Sequence, residues 1–220
     1  MSEVVVIVEG QTEQTFIRDV LAPEMGRQNI FISAALIGKP GQKGGNIRFT
    51  RALEDISLFL SQRPDTVVTT MFDYFGIDSK WPGRKIASEK TTASEKASFI
   101  EAATFDAVRR KLSKTDRLEQ RFIPYIAMHE FEALLFSSPA VLSGKIEVAQ
   151  SSIDQIINEC GEAEEINDHP KTAPSKRILK LYPAYKKILT GKSIAEATGI
   201  ETMRCKCPHF NSWISKLSQI

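Results

Sequence analysis

Val4-Val5-Val6-Ile7-Val8 is the stretch that most limits what this chain can become. Five β-branched residues in a row disfavour helix, and they lack the alternation of a strand with one wet face. They read as a strand buried on both faces of a parallel sheet. A parallel sheet of this kind places its helices in the crossovers and its ligands at the carboxyl ends of its strands. This strand ends on Glu9, and Gly10 lets the chain turn sharply there. Glu13, four residues later, falls in the first turn of a helix capped by Thr12. Two carboxylates at a strand-to-helix turn suit a hard cation. They also suit a plainer arrangement, with Glu13 complementing the positive end of its own helix and Glu9 lying in an exposed loop.

The same geometry recurs further along. Residues 30–37 read as a second strand. Residues 66–72 read as a third, ending on Asp73, and residues 121–127 as a fourth, running into Met128-His129-Glu130-Phe131-Glu132. Amphipathic helices are expected over residues 12–25, 46–60 and 99–112. Neighbouring carboxyl ends lie along one edge of a parallel sheet, so Asp73 approaches Glu9 despite their separation in sequence. Glu130 lies nearer its strand end than Glu132 and is the preferred acid of that pair, Asp78 is a weaker candidate ligand, and His129 reads as a structural hydrogen-bonder. The histidine and acids here lack the two-histidine spacing of a zinc protease.

Charge is distributed in blocks. Lys and Arg stand against Asp and Glu as 7 to 10 over residues 1–78, 11 to 6 over 79–121, 1 to 9 over 122–170 and 10 to 2 over 171–220. Basic blocks flanking an acidic centre suit a metal-dependent enzyme acting on a polyanion, and they equally suit a solvated surface. The glycine-rich loop 38–46 carries Lys39 and Lys43. It has neither the P-loop nor the dinucleotide order of residues, so it is either a phosphate-contacting loop or a flexible connection. Residues 79–98 show no apolar period and read as a long loop in which Trp81 either contacts nucleic acid or pins the loop to the body. Beyond residue 137 the strand signal disappears, which predicts an α/β domain over 1–137 and a helical extension packed on it over 138–220. Pro174 opens one of these helices, and Ser175, Lys176 and Arg177 in its first turn would favour a phosphate.

No run of residues is apolar and long enough to span a membrane, and three cysteines make no disulfide framework, so a reducing, cytoplasmic setting is expected. Cys205, Cys207 and His209 lie close together. Structural zinc takes four ligands, usually as two pairs, and no second pair is present.

On its acidic strand ends the chain resembles the Toprim domain, the metal-binding α/β module of topoisomerases, bacterial primases and nucleases of the overcoming-lysogenization-defect type. Val4 to Val8 followed by Glu9-Gly10 and Glu13 is similar to the first motif of that family, and Phe72-Asp73-Tyr74-Phe75 is similar to the second, where the family usually has Asp-x-Asp. Phe75 takes the place of the second Asp, leaving Asp78, Glu130 or Glu132 to supply the missing ligand. A narrower resemblance runs from Glu9 through Glu130 and Pro170 to Trp213. It is to a bacterial, Toprim-like family catalogued as a domain of unknown function and often encoded beside an ATPase in mobile or defence gene clusters.

These resemblances imply a Rossmann-like α/β fold with a mostly parallel, roughly four-stranded sheet and a C-terminal helical appendage. They also imply a Mg²⁺- or Mn²⁺-dependent nuclease of DNA or RNA, acting with an ATPase. In it Glu9, Glu13 and Asp73 would be catalytic, Asp78 or Glu130 would complete the metal site, and Lys39, Lys43, Lys176 and Arg177 would hold substrate phosphates. The alternatives are a non-catalytic subunit binding nucleic acid or a partner protein, and a phosphatase or phosphotransferase acting on small molecules.

Overall fold

The structure, a computed structural model, describes residues 2–38, 46–166, 169 and 171–220. Its centre is β1 (Ser2–Val8), paired in parallel with β2 (Ile30–Leu36) on one side and β3 (Val67–Asp73) on the other. Two short strands, β4 (Phe122–Ile123) and β5 (Ile126–Ala127), pair in parallel with β3 in turn, so the sheet runs β2-β1-β3-β4 with β5 also on β3. The fold class expected from the sequence is the one observed.

Both faces of the sheet are covered. Ile7 turns to the face where Ile56 and Leu60 of helix Phe49–Gln62 meet Ala97, Ile100 and Val108 of helix Ala93–Lys111. Val4, Val6 and Val8 turn to the other face. There they meet Phe16, Ile17 and Leu21, which lie on a helical run whose second segment, Ile17–Leu21, is π-helical. The C-terminal helices join the same core through Leu142, Ile178, Ile194, Met203, Phe210 and Trp213. Every residue from Val4 to Val8 is buried, as a strand covered on both faces requires.

The fourth expected strand is broken in two, for a physical reason. Pro124 has no N–H to give the ladder. The backbone of Tyr125 goes instead to the Thr70 hydroxyl, which accepts from Tyr125 N at 3.0 Å and donates to Tyr125 O at 2.9 Å. Thr69 repeats the device, donating to Ile123 O and accepting from Trp213 Nε1 at 2.9 Å. Tyr125 is then clasped between two rings, Trp213 at 4.3 Å between centroids and His209 at 4.9 Å.

Residues 79–98 are more ordered than their lack of period suggests. Trp81 is buried, donates to the Thr104 hydroxyl at 2.7 Å and packs edge-on to Phe49 and Phe72, so it pins this segment to the body. The following helix starts at Ala93, earlier than expected, because Thr92 and Glu95 form a reciprocal capping box. The helix opening at Pro174 ends at Leu181, ahead of Pro183, and a separate helix, Ile200–Lys206, follows Gly199. Among the described residues no helix is long and apolar enough to cross a membrane.

Trp213 bridges the C-terminal helix Pro208–Leu217 and the sheet, being 2% exposed and hydrogen-bonded to Thr69. Replacing it with Ala should lower stability by about 3–5 kcal/mol through the lost ring and the Thr69 hydroxyl left without its donor. Denaturant unfolding monitored by far-UV circular dichroism would show this, and a loss below 1 kcal/mol would contradict the packing described.

Candidate functional site

Sheet register sets the site. Val8 pairs with Met71, so Glu9 leaves β1 level with Phe72, one residue before Asp73. Asp73 pairs with Ala127, which places Met128, His129 and Glu130 immediately beyond the same edge. Three parallel strand ends thus deliver acids to one place.

Each acid has its own environment. Glu13 is 6% exposed and reaches back over its own first turn to accept from Gly10 N at 3.0 Å. It therefore caps its helix and faces the cluster at once. Burial raises its pKa first and the Glu9 charge adds to that, while Lys187 works against them. Glu9 packs over the next loop, where Gly76 leaves room for it. A Cβ at Gly76 would stand 1.8 Å from Glu9 Oε2. Asp73 Oδ1 accepts from Phe131 N at 3.0 Å. Its pKa is raised well above the usual carboxylate range, by burial first and then by the charges of Glu13, Glu9, Glu132 and Glu130. The acids of the three strand ends thus act on one another electrostatically.

Glu130 and Glu132 flank the start of a tight 3₁₀ helix, Phe131–Ser137. Glu130 Oε2 accepts from Ser175 N at 2.9 Å, so the first turn of helix Pro174–Leu181 meets a carboxylate of this chain. Glu132 is 1% exposed and pairs with Lys187 Nζ at 3.0 Å, while the same ammonium lies 3.9 Å from Glu130. Burial pushes the Glu132 carboxyl up to about 7, although Lys187 draws it down. For Lys187 burial opposes the charge, and Glu132 and then Glu130 outweigh it, leaving the ammonium above its usual range. The Tyr185 phenol, buried beside these acids, is raised by burial and by both charges.

Several residues expected at the site lie elsewhere or serve otherwise. Asp78 Oδ1 accepts from Lys80 N at 2.7 Å within its own turn. Arg177 donates to Thr172 O at 3.0 Å and pairs with Glu159 at 3.5 Å, bracing the chain around it. Lys176 is exposed. Lys39 and Lys43 lie outside the described residues. His129 is buried against Tyr74 and stacks on Phe75, 5.5 Å between centroids, so Phe75 supports a ring at the position where the resemblance expects an acid. Cys205 is exposed and Cys207 buried, both free thiols, and His209 pairs with Glu101.

Sequence reasoning passed over Glu132 in favour of Glu130, and it missed Lys187 and Tyr185. The preference rested on distance from the strand end alone, whereas Glu130 is an extended residue preceding a 3₁₀ turn that carries Glu132. Lys187 carried no local signal beyond the basic character of residues 171–220. Among the described residues, no three His, Cys, Asp or Glu side chains form a preformed metal-ligand set.

These features define an α/β protein with an acid-lined edge at the carboxyl ends of a parallel sheet. The chain belongs to the family described as domain of unknown function (DUF4276), whose model matches residues 8–218. Among solved structures it is similar to the C-terminal region of the Xanthomonas campestris pv. campestris OLD protein. The identity is 13% and the TM-score 0.42, with 100% of this chain and 96% of that one covered. No curated protein matches it.

Glu132 gives the metal-free protein a signed pH dependence. Its carboxyl is raised from an ordinary 4.5 to about 7, so its contribution to stability is fully present below pH 4.5 and is lost as pH rises through about 7. Denaturant unfolding in EDTA should show stability falling by on the order of 1–3 kcal/mol across that window, and Glu132→Gln should flatten the fall. A wild-type profile that is level or rises through this window would contradict the assignment.

Proposed function

We propose that this chain is a divalent-cation-dependent phosphodiesterase of nucleic acid, a nuclease of Toprim type, using Mg²⁺ or Mn²⁺ and working with an ATPase partner. The observation that carries the reading is the convergence of Glu9, Glu13, Asp73, Glu130 and Glu132 on one sheet edge, where burial and then neighbouring acids disfavour the charged forms of Glu13, Asp73 and Glu132. The donor set fits the ion by its chemistry, since every side chain in it offers hard carboxylate oxygens and none offers sulfur or imidazole. Glu9, Glu13 and Asp73 would hold the ion, with Glu130 and Glu132 completing the set in place of Asp78. A divalent cation held there would supply Lewis-acid stabilisation of a phosphoryl group and activation of water. Lys187, its side chain 44% exposed, neutralises the inner acids and offers its outer side to a substrate phosphate. Exposed Lys176, in the first turn of the helix whose Ser175 N–H meets Glu130, gives a second phosphate contact.

The test is cleavage of single- and double-stranded DNA and RNA by purified protein in Mg²⁺ or Mn²⁺, with and without the ATPase. Glu9→Gln and Asp73→Asn should each lower the rate at least about 100-fold, with circular dichroism unchanged and melting temperature not lowered. Absence of metal-dependent cleavage from every substrate, with the partner present, would overturn the reading. Gly76→Ala makes a separate prediction. Its added methyl group displaces the Glu9 carboxylate and should weaken Mn²⁺ uptake, measured calorimetrically, as much as Glu9→Gln does. Unchanged affinity would remove Glu9 from the ligand set.

One observation favours a second reading, a non-catalytic subunit that binds nucleic acid or a partner. Lys187 already sits at Glu132 and Glu130, where it serves as the cation, and the described residues form no preformed ligand set. Calorimetry discriminates between the two readings. Carboxylate-dependent Mn²⁺ binding supports the enzyme, and its absence supports the binding subunit.

A further inference from the structure

Outside the acidic edge, a second cluster of buried titratable groups lies against β5. Ile126 pairs with Phe72, and since β5 has β3 on one side only, the N–H and C=O of Ile126 point away from the sheet, where a further strand would lie. Two side chains take that strand's place. Glu101 Oε1, from helix Ala93–Lys111, accepts from Ile126 N at 3.0 Å. His209 Nε2, from helix Pro208–Leu217, lies 3.2 Å from Ile126 O and 3.0 Å from Glu101 Oε1. Both neighbours of that nitrogen are acceptors, so Nε2 carries its proton.

The pair is itself held in place. Glu164 accepts from His209 N at 2.8 Å and Phe210 N at 2.9 Å, fixing the start of the C-terminal helix, and Tyr125 stacks on the imidazole. Cys207 lies on the same side, a buried thiol whose pKa is raised by burial and then by Glu164 and Glu162. Burial opposes a charged imidazole, but the hydrogen bond and charge of Glu101, helped by Glu164, raise the His209 pKa.

We infer that Glu101 and His209 form a positioning clamp that fixes β5 against β3 and so sets the acid-bearing turn that follows. The lever is short. Ala127, the next residue, accepts from Tyr74 N at 3.0 Å and pairs with Asp73, and Phe131, four residues further on, gives its N–H to Asp73 Oδ1. A clamp released at Ile126 lets β5 shift and uncouples Phe131 from Asp73, while β1 keeps its two neighbouring strands. The functional consequence rests on the metal-site reading above, and the structural one does not.

Site-resolved amide hydrogen exchange tests it, using Ile126, Phe131 and, as reference, Val6. His209→Ala should lower protection at Ile126 and Phe131 at least tenfold more than at Val6. His209→Gln, which keeps an N–H donor for Ile126 O, should restore most of it. Should the alanine variant fail to fold, Glu101→Gln carries the same comparison, because it keeps an acceptor for Ile126 N and removes the charge that holds His209. Equal loss at all three amides, or none at Phe131, overturns the clamp. In parallel, Mn²⁺ uptake read by water proton relaxation should weaken at least fivefold in His209→Ala and recover in His209→Gln. Wild-type protein that takes up no Mn²⁺ sinks the metal-site reading, and the exchange comparison then decides the clamp alone.

Discussion

Parallel strands in fixed register cannot end on acids without bringing those acids together, and most of this structure near the sheet edge can be understood as a response to that repulsion. Glu9, Asp73 and Glu130 stand at or just beyond the ends of three neighbouring strands, and Glu13 and Glu132 close in from the turns that follow. Backbone N–H groups take part of the charge, from Gly10 to Glu13, from Phe131 to Asp73 and from Ser175 to Glu130. Lys187 takes another part at Glu132. Burial first, and neighbouring acids after it, keep the pKa values of Glu13, Asp73 and Glu132 raised, so these oxygens hold protons more readily than ordinary carboxylates do.

The sheet was legible because its signal is local. A β-branched run with no alternation dictates a strand buried on both faces, and the acid after each run is visible without any knowledge of register. Glu9 and Asp73 could therefore be placed side by side from sequence, and the structure puts them there. Boundaries failed where side chains act on the backbone. Pro124 and the two threonines of β3 split a strand that hydrophobicity alone would continue, and the Thr92–Glu95 box starts a helix ahead of its apolar period. Glu132 ranked behind Glu130 on distance from the strand end, a measure blind to the 3₁₀ turn, with an extended residue before it, that carries Glu132.

Long-range contributions left no such mark. Nothing in the order of residues says that Lys187 should meet Glu132 across 55 positions, or that Ser175 should meet Glu130 across 45. His209 shows the same limit in a different form. Beside Cys205 and Cys207 it invites a metal reading, whereas in the fold it answers an unpaired strand edge.

The blocky charge of the chain gains a second meaning from these contacts. Residues 122–170 hold nine acids and one base, and residues 171–220 hold ten bases and two acids. Read alone, a basic block beside an acidic one suggests attraction for a polyanion. In the fold, part of the basic block meets acids of the same chain: Lys187 meets Glu130 and Glu132, and Arg177 meets Glu159. Lys187 with buried Glu132 is the less screened of these pairs, so salt weakens it less than the pair of Arg177 with exposed Glu159. The C-terminal region is thus more than a cover for one face of the sheet, because Lys187 brings positive charge to Glu132 and Glu130 at the acidic edge.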